Sequence, residues 1–235
     1  MNWYQRLGYK KNPLETDLLK VTPELTVFQK QIEELIYRVY AGNIVLIEGP
    51  VSSGKTLILK HVINHFKGEN KSIYIDAKKT SKRLDIEIVL KKSQSWTQRI
   101  LGKLPQKKIL FLDNAEFLTK KNQERIKYFY DQNYLQSVIF AVYDSSNLTN
   151  SLKDRIGKRI FKLSRPTFEE AVTITIARLG DDILTRSLVQ KIFVLSNKNL
   201  TKHLLNCEKV LNHLIIQNRE NISNEELEEL LGGSK

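Results

Sequence analysis

The residues Gly49, Pro50, Val51, Ser52, Ser53, Gly54, Lys55 and Thr56 read GPVSSGKT and fit the pattern G-x-x-x-x-G-K-[ST] without a mismatch. That order serves phosphate chemistry. Gly49 and Gly54 leave the backbone free to turn successive N–H groups towards phosphate oxygens, and a helix opening at Thr56 adds the positive end of its dipole. Lys55 then reaches the β- and γ-phosphates of a nucleoside triphosphate, and the Thr56 hydroxyl can ligate Mg2+. A second stretch, ILFLDNAE, places four apolar residues before Asp113. A buried strand of this kind delivers one carboxylate to a metal at its carboxyl end. Asp113 is therefore expected beside Mg2+, directly or through its bound water, and ATP is the expected ligand of the loop.

Such side chains need a scaffold. Short β-branched and aromatic runs, IVLIE (44–48), SIYID (72–76), ILFLD (109–113), SVIFAVY (137–143) and RIFKL (159–163), read as strands alternating with helical patterns. Alternation of this kind means an α/β fold, a five-stranded parallel sheet flanked by crossover helices. The strand at 72–76 is expected to separate the loop strand from the acid-bearing strand. Near Ser164 the pattern changes to apolar spacing of three and four, in 168–179, 183–195, 200–216 and 225–231, which predicts a small all-helical lid. The chain thus divides into a nucleotide-binding core over 1–164, including an N-terminal arm and helix, and a lid over 165–235. Thr167-Phe168-Glu169-Glu170 and Ser223-Asn224-Glu225-Glu226 match the capping-box pattern, and Thr22-Pro23 opens a helix running to about Tyr40.

The chain has 235 residues, 38 Lys and Arg against 26 Asp and Glu, and a formal charge of +12. That balance favours polyanionic partners such as DNA through counterion release, although a merely basic surface explains it equally well. Basic residues concentrate at Lys78, Lys79, Lys82, Arg83, Lys91 and Lys92 and again from Lys153 to Arg165, while Glu220 to Glu229 is acidic, which predicts one basic face. No apolar run is long enough to span a bilayer, the N-terminus lacks a signal-peptide pattern, and the single Cys207 excludes an intramolecular disulfide framework. A cytoplasmic protein without membrane partners is expected.

The order and spacing of the two motifs resemble the AAA+ P-loop ATPases, from the N-terminal helix through the lid. The opening segment, with Leu7, Gly8, Tyr9, Asn12 and Pro13, is similar to the leader of a subgroup that includes transposition- and secretion-associated ATPases and relatives of archaeal origin-recognition proteins. The resemblance implies that this leader lies near the adenine; an arm packing Trp3 and Tyr4 on the sheet explains it as well. It further implies a γ-phosphate sensor among Asp144, Ser145 and Asn147. It also implies an arginine reaching a neighbouring subunit's ATP, with Arg155 the best match and Arg159 next, hence an oligomer. For both arginines the alternative is a solvated basic face.

Two departures bear on turnover. The subgroup commonly reads Asp-Glu at the end of the acid strand, the Glu polarising the attacking water, whereas Asn114 stands here. An amide orients water but takes no proton, and a positioned base contributes about 10²- to 10⁴-fold in rate. Glu116, two residues on, either swings in as the catalytic acid group or sits in the first turn of the next helix. In the lid, Thr201 and Lys202 stand where the family usually has an arginine. Both departures point to slow hydrolysis.

Other motifs fall away. His61 and His65 lack the glutamate of a zinc protease, Trp96 and Cys207 read as core, and no guanine-reading Asn-Lys-x-Asp follows the acid strand. Two functions remain: an ATPase that assembles or remodels a DNA complex, and an ATP-gated adaptor or weak subunit of a hetero-oligomer, as in clamp loaders. No winged-helix domain is expected after Glu229, so DNA contact would come from basic surface or a partner.

Overall fold

The computed structural model describes residues 2–16, 28–66, 71–80, 84–93 and 106–232. Thr22-Pro23, Lys82, Arg83 and Trp96 lie outside the described residues. Two compact units form: Phe28–Val51 with Lys55–Ser164, and Met1–Val27 and Ser52–Gly54 with Arg165–Lys235.

The first unit is built on one sheet. Its strands are β1 Ile44–Glu48, β2 Ser72–Asp76, β3 Lys108–Asp113, β4 Leu135–Val142 and β5 Ile160–Lys162, in the order β2-β3-β4-β1-β5. Every neighbouring pair is parallel. Parallel pairing demands crossovers that cover both faces, which is why the central strands read as apolar runs rather than alternating ones. All six residues of β3 are buried, whereas Tyr74 on β2 and Ile160 on β5 are exposed at the two edges. The strand between the loop strand β1 and the acid strand β3 is β4, not the run at 72–76 as expected. Strand order is a non-local property that periodicity along the chain does not encode.

Helices α2 Gln29–Tyr40, α3 Lys55–His65, α4 Ala77–Thr80, α5 Ile86–Lys92, α6 Lys120–Asp131 and α7 Asn150–Ile156 belong to this unit. Three of them start where a short polar side chain accepts an orphan amide: Asp85 caps α5, Thr119 caps α6 and Thr149 caps α7. Gly157, at φ +56, ends α7 in a backbone conformation that suits glycine. The two basic clusters do not share one face. Lys78 and Lys79 follow β2 at one edge of the sheet, while Lys158, Arg159 and Lys162 flank β5 at the other.

The second unit is helical: α8 Phe168–Leu179, α9 Arg186–Leu195, α10 Leu200–Ile216 and α11 Asn224–Gly232, joined by the short helix α1 Trp3–Arg6 of the N-terminal arm. The division expected from the sequence groups the arm with the core over 1–164, and one of its two readings packs Trp3 and Tyr4 on the sheet. Instead Trp3 and Leu14 are buried in the core of the helical unit, Trp3 Nε1 donates to Glu208 Oε1 (3.3 Å), and Tyr9 Oη donates to the carbonyl of Leu179 (2.5 Å). Thr167 and Glu170 close a reciprocal capping box at α8. At α11 only half of one forms: Ser223 accepts the Glu226 N–H, but the Glu226 carboxylate is taken by Arg219 and His213. Those partners hold that carboxyl at about 2, well below its ordinary range, through hydrogen bonds from Arg219 and then His213. Among the described residues no helix is long and apolar enough to cross a membrane.

Candidate functional site

The phosphate-binding pattern turns out of β1 at the carboxyl edge of the sheet, where the Gly49 N–H is held by the carbonyl of Val142 (3.2 Å). Ser52 (φ +68) and Gly54 (φ +92) are both left-handed, which is how a loop brings neighbouring N–H groups round to one side. Lys55 opens α3 and folds back along the loop, its Nζ donating to the carbonyls of Gly49 (2.7 Å) and Pro50 (2.8 Å). Burial lowers its pKa, against the pull of Glu116 and then Asp113. The ammonium is thus held back on the loop by two carbonyls, partners that a better acceptor would replace. Ser53 Oγ is buried without a hydrogen-bond partner.

Asp113, 3% exposed, ends β3. Its Oδ2 accepts from Thr56 Oγ1 (2.8 Å) and from Tyr74 Oη (3.1 Å), and its Oδ1 accepts the N–H of Asn114 (3.0 Å). The Thr56 hydroxyl and the Asp113 carboxylate are therefore adjoining oxygen donors, and Thr56 is exposed. Hard oxygen donors of this kind suit Mg2+, and Thr56 and Asp113 are the residues that would hold it. Tyr74 was missed in the sequence. Burial first, then the charge of Asp113 and the hydrogen bond to it, raise the pKa of its phenol, so it remains a proton donor. The signal was its place two residues before the end of a strand, unreadable without knowing that β2 pairs with β3.

The turn after Asp113 explains the Asn. Asn114 has a left-handed backbone (φ 52°, ψ 41°), a conformation asparagine tolerates better than most residues. Its Nδ2 donates to Asp76 Oδ1 (2.9 Å) at the end of β2. The reversal sends the chain into a 3₁₀ turn over Ala115–Phe117, on which Glu116 is half-buried. Glu116 Oε2 is shielded from solvent and has no hydrogen-bond partner.

The loop after β4 is braced from beneath. Buried Gln123 on α6 donates to the carbonyls of Leu118 (3.2 Å) and Asn147 (3.0 Å) and accepts the N–H of Thr149 (2.8 Å), tying the turn after β3 to the loop after β4. Sequence reasoning gave no hint of it, since a glutamine on a helix usually faces solvent. Of the three sensor candidates, Ser145 is anchored by its N–H and hydroxyl to Glu48 Oε1 (2.8 and 3.0 Å), while Asp144 and Asn147 are exposed.

Arg155 is not brought to this cluster. It lies at the opposite, amino-terminal edge of the strands, paired with Asp131 (3.1 Å) and stacked on Tyr130 (5.2 Å to the ring centroid). Arg159 is there too, donating to the carbonyls of Ile44 (3.0 Å) and Arg155. Lys202 is on α10 in the other unit, its N–H accepted by the cap Asn199. Of the two α3 histidines, His65 Nε2 meets Tyr40 Oη (3.3 Å) and His61 Nδ1 is unpartnered. Cys207 is buried beside His203 (3.6 Å).

A loop of this conformation between β1 and α3, with an aspartate on the strand two places across, defines a P-loop nucleotide-binding fold. The particular family follows from the model described as "AAA domain", which matches residues 41–171, more than half of the chain; the protein belongs to that family. No curated protein matches the sequence. Among solved structures, Cdc6p from Pyrobaculum aerophilum matches with a TM-score of 0.71 at 14% identity, over 94% of this chain and 70% of that one. Orc1 from Aeropyrum pernix, solved in complex with DNA, gives 0.70 at 16% identity over 95% and 69%. Domain III of the replication initiation protein DnaA from Thermotoga maritima gives 0.63 at 19% identity over 87% and 91%. At these identities the likeness is one of fold: a five-stranded parallel AAA+ sheet with flanking helices.

Proposed function

We propose that this protein binds Mg-ATP at the carboxyl edge of its sheet, hydrolyses it slowly, and uses the cycle to assemble or remodel a DNA complex. The observation that carries the nucleotide reading is the 2.8 Å pair of Thr56 Oγ1 and Asp113 Oδ2 beside Lys55. Lys55 would exchange its two loop carbonyls for phosphate oxygens, and the loop N–H groups would complete the cradle. Mg2+ held by Thr56 and Asp113 would supply charge neutralisation on the β- and γ-phosphates. Slow turnover is supported by Asn114, whose amide is engaged by Asp76 and takes no proton.

The DNA reading rests on the formal charge of +12 and on the company the fold keeps. Orc1 was solved with DNA, DnaA is a replication initiation protein, and the RuvB of Thermotoga maritima, which matches with a TM-score of 0.61 at 18% identity, is a Holliday junction branch migration motor. The 49% exposed Arg155 favours an oligomer in which it leaves Asp131 for a neighbouring subunit's nucleotide. A second reading, an ATP-gated adaptor or weak hetero-oligomer subunit, is favoured by the engaged Asn114.

Duplex DNA binding followed by fluorescence anisotropy across a salt series, with and without ATP, separates the two. Affinity that falls steeply with salt and shifts with nucleotide supports the DNA reading; no binding at low ionic strength overturns it.

A further inference from the structure

The position that usually supplies the water-activating carboxylate is closed to it here in two ways. Asn114 carries no carboxylate, and its side chain is directed to Asp76 at the end of β2, where Asp76 Oδ1 also accepts the Lys78 N–H (3.1 Å). Asp113 is committed as well, with one oxygen taking two hydroxyl protons and the other a backbone N–H. One acidic side chain on this turn is uncommitted. The left-handed residue at 114 reverses the chain, Ala115 is buried under the turn, and Glu116 is left with an oxygen both hidden from solvent and unbonded. A buried acceptor without a donor is costly, typically about 1–3 kcal/mol, so a fold retains one where something else comes to satisfy it.

Being unpartnered does not identify a site by itself. Ser53 Oγ in the phosphate loop, Arg38 Nε on α2, His61 Nδ1 and Asn64 Oδ1 on α3 and Ser72 Oγ at the start of β2 are also unpartnered. Glu116 differs in its place: it stands three residues after Asp113, on the turn by which the chain leaves the carboxyl end of β3.

We propose that Glu116 is the general base of this protein, displaced two residues along the chain from the usual place by the left-handed turn at Asn114. The inference rests on the nucleotide reading above. Glu116 Oε2 accepts a proton from a water whose oxygen bonds to the terminal phosphorus. The bridging P–O bond breaks with its electron pair leaving on the diphosphate, and Glu116 then releases the proton to the inorganic phosphate. Asn114 serves as the hinge that sets the turn.

The test compares the full-length wild type with Glu116→Gln, Glu116→Asp and Asn114→Ala in two measurements. Steady-state hydrolysis, with and without duplex DNA, is expected to fall about 100-fold or more in Glu116→Gln, to survive partly in Glu116→Asp, and to fall less than tenfold in Asn114→Ala. Calorimetric affinity for a non-hydrolysable ATP analogue is expected to tighten about three- to tenfold in Glu116→Gln, because a negative charge beside the phosphates is removed, with ADP affinity changing less. Wild-type turnover in Glu116→Gln, or unchanged analogue affinity, overturns the proposal. So does a wild type that binds the analogue but never hydrolyses ATP. A wild type that binds no nucleotide overturns the nucleotide reading itself, and this inference with it.

Discussion

The carboxyl edge of the sheet and the core of the helical unit both contain polar groups among apolar ones, but they treat them differently. In the helical unit the buried polar side chains satisfy one another. Thr175 Oγ1 donates to the carbonyl of Ala171 and meets His203 Nε2 (2.9 Å), Cys207 lies against the same imidazole, and Asn206 Nδ2 donates to Ser196 Oγ (2.9 Å). At the sheet edge Lys55 leans on carbonyls that a better acceptor would displace, and Ser53 Oγ and Glu116 Oε2 have no partner. Among the described residues, no side-chain atom beyond Ser164 is buried and unpartnered. Closed networks fix a packing arrangement; open ones hold groups ready for a ligand.

The largest test of this contrast is Lys55→Ala. Losing charge-assisted contacts to phosphate removes roughly 2–4 kcal/mol of nucleotide binding, about 30- to 1,000-fold, while thermal stability without nucleotide stays near wild type. A large loss of stability instead would place Lys55 among the structural groups.

On the helical side, burial depresses the His203 pKa to about 4. The unfolded chain then binds more protons between that value and the ordinary 6.5. The contribution of neutral His203 is complete above about pH 6.5 and drains away as pH falls towards 4, at roughly 1.4 kcal/mol per unit of depression. Thermal melts at pH 7 and 4.5 should show this drop, and His203→Leu should flatten it. An equal drop in the variant would assign the loss to other groups.

Thr167→Ala removes the capping box of α8 and should cost about 1 kcal/mol in a denaturant melt without touching nucleotide affinity. The smallest effect is expected at Tyr74→Phe. It deletes one of three donors to Asp113, worth about 1 kcal/mol, and should raise the half-saturating Mg2+ concentration about fivefold while leaving metal-free nucleotide binding unchanged. A variant with the wild-type Mg2+ response would make Tyr74 a bystander at the strand edge.

Much of this was legible in the sequence because it is local. The phosphate loop, the run into Asp113 and the spans of α8 and α10 follow from neighbouring residues, and the start of α8 follows from the Thr167 capping box. What depends on distant pairing was not legible. The order of the strands placed β4 rather than β2 beside β1, which in turn hid Tyr74, Asp76 and Gln123 as partners of the site and divided the basic residues between two edges. The reading that packs Trp3 and Tyr4 on the sheet fails for the same reason, since an aromatic pair fits a sheet or a helix face equally well. Asn114 was read by its chemistry, as a missing base, when its backbone conformation accounts for it; for that reason Asn114→Glu is not expected to accelerate hydrolysis, as it would strain the turn and lose Asp76.

The central claim is that the open edge of the sheet binds a nucleoside triphosphate through Lys55 with Mg2+ held at Thr56 and Asp113. Isothermal titration of the full chain with a non-hydrolysable ATP analogue tests it most directly, in the presence and absence of Mg2+. Binding that strengthens with Mg2+ in the wild type, loses that response in Asp113→Asn and disappears in Lys55→Ala is the predicted result. No binding, or equal binding by Lys55→Ala, would contradict it.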